Sequence, residues 1–340
     1  MESTAHDFLK ALLVAPSPSG YEQPVQAVVR DYVNDFADTV KTDLHGNVIV
    51  GNNVDAPTRV LLAGHCDQIG LVVTHIDDKG FLYTKPIGGW DPQQLIGQRM
   101  TVWTQGGPVN AVIARKPIHL LDPDERKKVV KLEEMWLDLG AKDRDEAASL
   151  VRIGDPVTLE LGYQELRNGL ANAPGMDNIT GVWVVIEALR RAAQGGLNVA
   201  LFAVSTVQEE IGLRGAQTST FGVDPQIGIA VDVTHATDCP TIDKRQEGDI
   251  KLGAGPVIER GPNVNPRLFD RLVDGQRRLG VRRHLPAGLD PHLGSQWWCL
   301  TRATLRASLT APVRPARDRF FATTWIPDES YFQTLARLHA

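Results

Sequence analysis

Five acidic residues and one histidine sit at the borders of apolar stretches, in places where they could gather around a divalent cation. RVLLAG leads into His65-Cys66-Asp67, VALFAVSTVQ into Glu209-Glu210, and GIAV into Asp232. Asp177 directly precedes residues 178–193, which carry apolar side chains at helical spacing. One imidazole with several carboxylates is a hard-to-borderline donor set, suited to Zn2+, Co2+ or Mn2+. Without a cation, that many carboxylates would repel one another and lose hydration. His65 and Asp67 are two apart, so on an extended chain they point the same way; one can ligate while the other orients it. Glu209 and Glu210 diverge in direction, so one can ligate while its neighbour takes a proton from an activated water. The chemistry that fits is activation of a metal-bound water by a neighbouring carboxylate. Taken singly, each residue has an ordinary explanation: a polar strand end, a helix N-cap for Asp177, a solvated glutamate pair, a buried salt bridge for Asp232. His75, His119 and His235 read as structural histidines.

The elements that must position these residues are legible in outline. RVLLA (59–63), NVALFAV (198–204) and QIGIAVDV (226–233) are continuous apolar runs, the pattern of strands covered on both faces. Ligands in open α/β sheets gather at the carboxyl ends of such strands. Residues 6–14, 24–37 and 267–279 read as amphipathic helices, with a turn-rich stretch from Pro16 to Gly20 between the first two. VKTDLHGNVIVG predicts two short strands turning near His45-Gly46. From about residue 70 to about 165, short alternating segments with glycine turns predict a small β-barrel-like module. Within it, DPDERKKVVKLEEMWLDLG (122–140) and DRDEAASLVR read as helical. The simplest architecture is one α/β domain (1–69 and 166–340) interrupted by a β-rich insert (70–165).

Composition bounds the partners. The chain has 340 residues, 42% of them apolar and 23% charged, enough for a large core with a second, smaller unit. A net charge of −5 argues against a general nucleic-acid binder. No apolar run is long enough to span a bilayer, and MESTAHDFLK does not read as a signal peptide. Cys66, Cys239 and Cys299 form neither a disulfide framework nor a zinc-ribbon spacing, so a reducing, cytoplasmic location is expected.

The segments AGHCDQIGLVVTHIDDKGFLYTKPIGGWDPQQLIGQRM, GMDNITGV, VSTVQEEIGLRGA, AVDVTHATDCP and KLGAGPVI, in that order, resemble the tetrahedral (TET) or glutamyl aminopeptidase family of dinuclear-metal exopeptidases, some of which are labelled cellulase or endoglucanase. The resemblance covers roughly residues 5–280. It implies a three-layer α/β/α metallopeptidase domain, with the inserted β-barrel-like piece serving dimerisation. It also implies His65 as a metal ligand supported by Asp67, Asp177 bridging two cations, Glu209 as general base, Glu210 as a ligand, and Asp232 completing the first metal. Peptides would be the substrates. The assembly would be a homo-oligomer, from a dimer up to a tetrahedral dodecamer.

The pattern breaks from about residue 285. Where the family carries its last ligand histidine, PVRPARD places Arg317, and PHLGSQWW (291–298) replaces another family segment. A divergent tail and a stretch read in a shifted frame both account for this. The first metal keeps His65, Asp177 and Asp232; the second keeps Asp177 and Glu210, a weak site unless His284, His292 or Asp318 substitutes. Three other functions compete with the peptidase reading: a degenerate assembly subunit, a deacylase of N-acyl amino acids, and a glycosidase, which would need two carboxylates and no metal.

Overall fold

The computed structural model of the chain describes residues 3–278. Arg317, His284, His292, Asp318 and the stretch 291–298 lie outside the described residues. Two helices, α1 (Ser3–Val14) and α2 (Gln23–Val33), open the chain, followed by β1 (Thr39–Thr42), β2 (Val48–Asn52) and β3 (Arg59–His65). The chain then forms β4 (Gly70–Ile76), β5 (Leu82–Ile87), β6 (Arg99–Thr104), β7 (Gly107–Arg115), β8 (Met135–Asp138), a helix α3 (Arg144–Leu150) and β9 (Pro156–Leu159). A two-residue hairpin, β10 (Gln164–Glu165) and β11 (Ala171–Asn172), leads to α4 (Met176–Ala193), β12 (Ala200–Thr206), α5 (Arg214–Val223), β13 (Ile227–Ala230), α6 (Lys244–Glu247) and α7 (Pro266–Arg278).

A five-stranded sheet has the order β1-β2-β12-β3-β13. β12 and β13 run parallel to β3 on either side of it, while β2 runs antiparallel to β12. The apolar runs predicted for β3 and β12 are explained by their central place: both faces are covered. On one face Val60, Leu62, Leu201 and Ala203 pack with α1, α2, α4 and α7 in the larger core. On the other, Leu61 and Val204 meet Val223 of α5. The result is the three-layer α/β/α arrangement expected from the resemblance.

Strands β4 to β9 close into a separate barrel in the order β4-β5-β8-β7-β6-β9, with its own core around Leu71, Leu82, Met100, Ile113 and Leu137. Here one expectation fails. Residues 122–140 are not a helix but short 3-10 turns at Glu125–Lys127 and Leu132–Glu134 that run into β8. Lysine and glutamate favour helices, but the apolar residues there set the outcome. Met135 and Leu137 are 2% and 0% exposed, and their period of two fills the barrel as a strand does. A second difference is smaller: β13 ends at Ala230, and a last N–H from Val231 to the carbonyl of Ala63 at 2.7 Å precedes the departure of the chain at Asp232.

The centre of the sheet is seated on α4 by a backbone contact. A Cβ on Gly64 would lie 2.7 Å from the carbonyl carbon of Gly181 and 2.8 Å from the nitrogen of Val182. No side chain fits between β3 and the helix immediately before His65. Gly64→Ala should therefore destabilise the fold by about 1–3 kcal/mol through overpacking and lower activity with it. Denaturant midpoints measured with and without added metal check this, and an unchanged midpoint would contradict the tight seat.

Candidate metal centre

The parallel strands deliver their ends to one edge. Thr206 is opposite His65 in the β12–β3 register, and Ala230 is opposite Ala63 in the β13–β3 register. The turn after β12 and the loop after β13 therefore emerge beside His65, bringing Glu209 and Asp232 to it. Asp177 arrives from the start of α4, which lies across the same strand.

His65 is buried, and its two ring nitrogens face different surroundings. Nδ1 lies 3.0 Å from the carbonyl oxygen of Asp67 and 3.4 Å from its Oδ1. Nε2 lies 3.2 Å from Asp177 Oδ1, 3.6 Å from Glu209 Oε2 and 3.7 Å from Asp232 Oδ1. A hydrogen on Nδ1 directed at Asp67 leaves the Nε2 lone pair pointing at three carboxylates. That arrangement is favourable only with a positive charge between them. With no cation, a proton serves: burial pushes against the charged ring, yet Asp177, Asp67 and Asp232 outweigh it and hold the His65 pKa well above its ordinary value.

The acids carry the complementary strain. Burial, reinforced by the negative charge of Asp177, raises Asp232 to about 7 and Glu210 to about 8. Glu209 is also raised, chiefly by burial. Asp177 Oδ2 is buried without a hydrogen-bond partner among the described residues. An orphaned carboxylate oxygen, raised carboxylate pKa values and an imidazole lone pair aimed at them all fit a divalent cation. His65, Glu209 and Asp232 each offer a donor atom within 4.8 Å of the others. Glu210 lies outside this tight group, with its Cβ near the position a Cβ on Gly88 would occupy.

Asp177 is not the N-cap of α4. Residues Asp177 and Asn178 both have non-helical backbone angles, and Asn178 Oδ1 accepts the N–H of Gly181 at 2.9 Å. The Asn178 amide also donates to the carbonyl of Val231 at 2.7 Å. Asn178 thus caps the helix and ties it to the segment bearing Asp232, while Asp177 turns to His65.

Asp67 is fully buried. Its Oδ1 accepts the N–H of Glu209 at 2.8 Å; its Oδ2 accepts the N–H of Glu210 at 3.1 Å and the Ser19 hydroxyl at 2.6 Å. Burial would raise its pKa, but His65, Ser19 and the Glu209 N–H prevail and lower it. Of the histidines set aside, His75 packs near the Tyr83 ring in the barrel, and His119 sits in a 3-10 turn there. His235 is exposed and outside the donor group.

Residues 46–285 match the M42 glutamyl aminopeptidase family. Lysyl aminopeptidase of Pyrococcus furiosus is 36% identical over 267 residues, 77% of this chain and 75% of that protein. The chain belongs to the M42 glutamyl aminopeptidase family. Aminopeptidase activity follows from that membership. Among solved structures, a TET aminopeptidase from a marine sediment archaeon of the Thaumarchaeota is 30% identical, covering 98% of each chain with a TM-score of 0.79. The TET1 peptidase of Pyrococcus horikoshii, which can assemble into a tetrahedron or a large octahedral shell, is 30% identical over 82% of each chain at a TM-score of 0.73. The family match ends where the sequence pattern was seen to break.

Two buried residues bonded to this candidate centre or to the turn that carries Glu209 went unread in the sequence. Ser19 and Glu22 fall in or beside the stretch that predicted only a turn, yet both are buried. Their signal was faint: a serine and a glutamate among prolines and glycines, with no periodicity to mark a buried side.

The raised groups fix a pH dependence. Metal-free, the folded chain keeps protons on Glu210 and Asp232 that the unfolded chain, at 4.5 and 3.8, has released. The unfolded state binds fewer protons between about pH 4 and about pH 8, so metal-free stability falls as pH rises through that window. His65 has the same sign, its contribution being lost as pH rises through its folded value. A cation replaces these protons, so the stabilisation it confers grows with pH. Thermal melts with and without Zn2+ should show a larger gain at about pH 8 than at about pH 5.5. An equal gain at both would count against this ligand set.

Proposed function

We propose that the chain removes N-terminal residues from peptides, one at a time, at the centre formed by His65, Asp67, Asp177, Glu209, Glu210 and Asp232. The observation that carries this reading is the Nε2 of a buried histidine facing three carboxylates within 3.7 Å. His65, Asp177 and Asp232 would hold a first cation, and Asp177 with Glu210 a second. Zn2+, Co2+ and Mn2+ suit this donor set equally. A bound divalent cation supplies Lewis acidity to the scissile carbonyl and acidity to water. The protein's own part is proton handling and placement. Glu209, raised by burial, is a carboxylate with more affinity for protons than a solvated one. It takes the proton of the attacking water and delivers it to the departing amine. Asp67 holds the Glu209 backbone N–H and faces the far nitrogen of His65, so one buried carboxylate orients both base and ligand.

The second cation has fewer donors. The family's last histidine is replaced by Arg317 in the sequence, which supports one tight site and one weak or empty one. Equilibrium dialysis followed by metal analysis should find one tightly held equivalent, with any second lost about tenfold more readily or more. Two equivalents of equal affinity would oppose the assignment.

The barrel supports a role in dimerisation, and a homo-oligomer is proposed by likeness to the TET1 peptidase of Pyrococcus horikoshii. Among the described residues no helix is long and apolar enough to cross a membrane. Among the described residues Cys66 and Cys239 form no disulfide, which suits a reducing compartment such as the cytoplasm.

A panel of aminoacyl chromogenic substrates, free or blocked at the amine, tests the reading with added Zn2+, Co2+ or Mn2+ beside a chelated control. Only free-amine substrates should be cleaved, and only with metal. Glu209→Gln should lower kcat by about a hundredfold to ten-thousandfold while metal content stays the same. Cleavage of blocked substrates in preference to free ones would point instead to a deacylase.

A further inference from the structure

Glu22 stands at the N-terminal boundary of α2, where a carboxylate ordinarily accepts a hydrogen bond from its own helix. It makes no such capping bond. Its Oε1 instead accepts the N–H of Gly20 at 2.8 Å and the N–H of Gln208 at 3.2 Å. The residue is only 4% exposed, so a carboxylate has been taken out of water to meet the turn after β12.

That turn has an unusual backbone. Gln208 has a φ of +55°, in the left-handed region that non-glycine residues seldom enter. Such a change of backbone hand can turn successive N–H groups toward one side. The next two, from Glu209 and Glu210, end on Asp67 Oδ1 and Oδ2 at 2.8 and 3.1 Å. Three consecutive backbone donors are therefore received by two buried carboxylates from distant parts of the chain. Ser19 joins the two acceptors by donating to Asp67 from the same loop that carries Glu22.

We infer that Glu22 is a positioning residue for hydrolysis: by holding the Gln208 N–H it fixes the backbone from which the Glu209 side chain departs. The inference rests on Glu209 being the general base. Glu22 touches neither the scissile bond nor the cations' donors; it acts through the peptide that precedes Glu209. Helix α2 does not depend on it. Gln26, one turn on, donates to the carbonyls of Gly46 and Ser205 at 3.1 and 2.9 Å, and Val25, Val29 and Val33 are buried in the core. Removing the Glu22 side chain frees the turn and leaves the helix anchored.

The test compares Glu22→Ala, Glu22→Gln and Glu209→Gln in the full, Zn2+-loaded chain, by kinetics on a free-amine aminoacyl substrate and by amide hydrogen exchange. Glu22→Ala should lower kcat by about tenfold to a hundredfold, since a small displacement of a reacting group costs that much. KM should stay within about threefold, the mark of an interaction used in the transition state rather than in binding. Glu22→Gln keeps an oxygen acceptor and should restore kcat to within about threefold of the parent. Exchange in a peptide spanning 206–212 should quicken in the alanine variant while that of β3 stays unchanged. The inference is overturned if Glu22→Ala keeps kcat within about twofold of the parent, if its exchange quickens throughout β3 and β12, or if Glu22→Gln is as impaired as alanine. Activity surviving in Glu209→Gln would overturn the base assignment and with it the role of Glu22 in hydrolysis, while the exchange measurement separately reads the hold of Glu22 on the turn.

Discussion

The carboxylate of Asp67 is the constraint on which the centre depends. It is stripped of water, and only its neighbours can compensate that loss. They do so from three directions: the His65 ring, the Ser19 hydroxyl, and the N–H groups of Glu209 and Glu210. Meeting its own hydrogen-bonding needs thus fixes the relative positions of β3, the N-terminal loop and the turn after β12. On the proposed reading, structure and function coincide here, since the groups that stabilise Asp67 are also those that hydrolysis would need in place.

A second constraint is charge. Burial, with the negative charge of Asp177 added to it, disfavours ionised carboxylates at this edge, and Glu210 and Asp232 are raised accordingly. A fold tolerates such a cluster because rigid elements enforce it: parallel strands whose ends coincide, and α4 pressed onto β3 by the contact of Gly64 with Gly181. The scaffold's packing holds the acids together, and a divalent cation among them would relieve their opposition.

Much of this was legible in the sequence, for identifiable reasons. Buried parallel strands leave continuous apolar runs, and polar residues directly after them stand out. His65, Glu209 and Asp232 were found that way, and they come together as one donor group. Asp177 was ambiguous because an aspartate before a helix is usually its cap; that Asn178 takes the cap instead depends on a tertiary bond to Val231 that no local pattern reveals. Residues 122–140 misled because charged helix formers obscured the short period-two pair Met135 and Leu137, buried in the barrel with Val130 and Leu132. Glu22 was invisible for the opposite reason: its partner lies 186 residues away.

The strand order carries a consequence for synthesis. β3 is made early, but both of its neighbours, β12 and β13, follow the entire barrel. As the chain leaves the ribosome, the barrel has all its strands and its own core before β3 has any parallel partner. During that interval His65 and Asp67 wait at the end of an unsupported strand. Asp177, Glu209 and Glu210 are made next, and Asp232 only once the chain beyond β13 has emerged, so a nascent chain stalled before that point has every strand of the barrel but not the full set of acids.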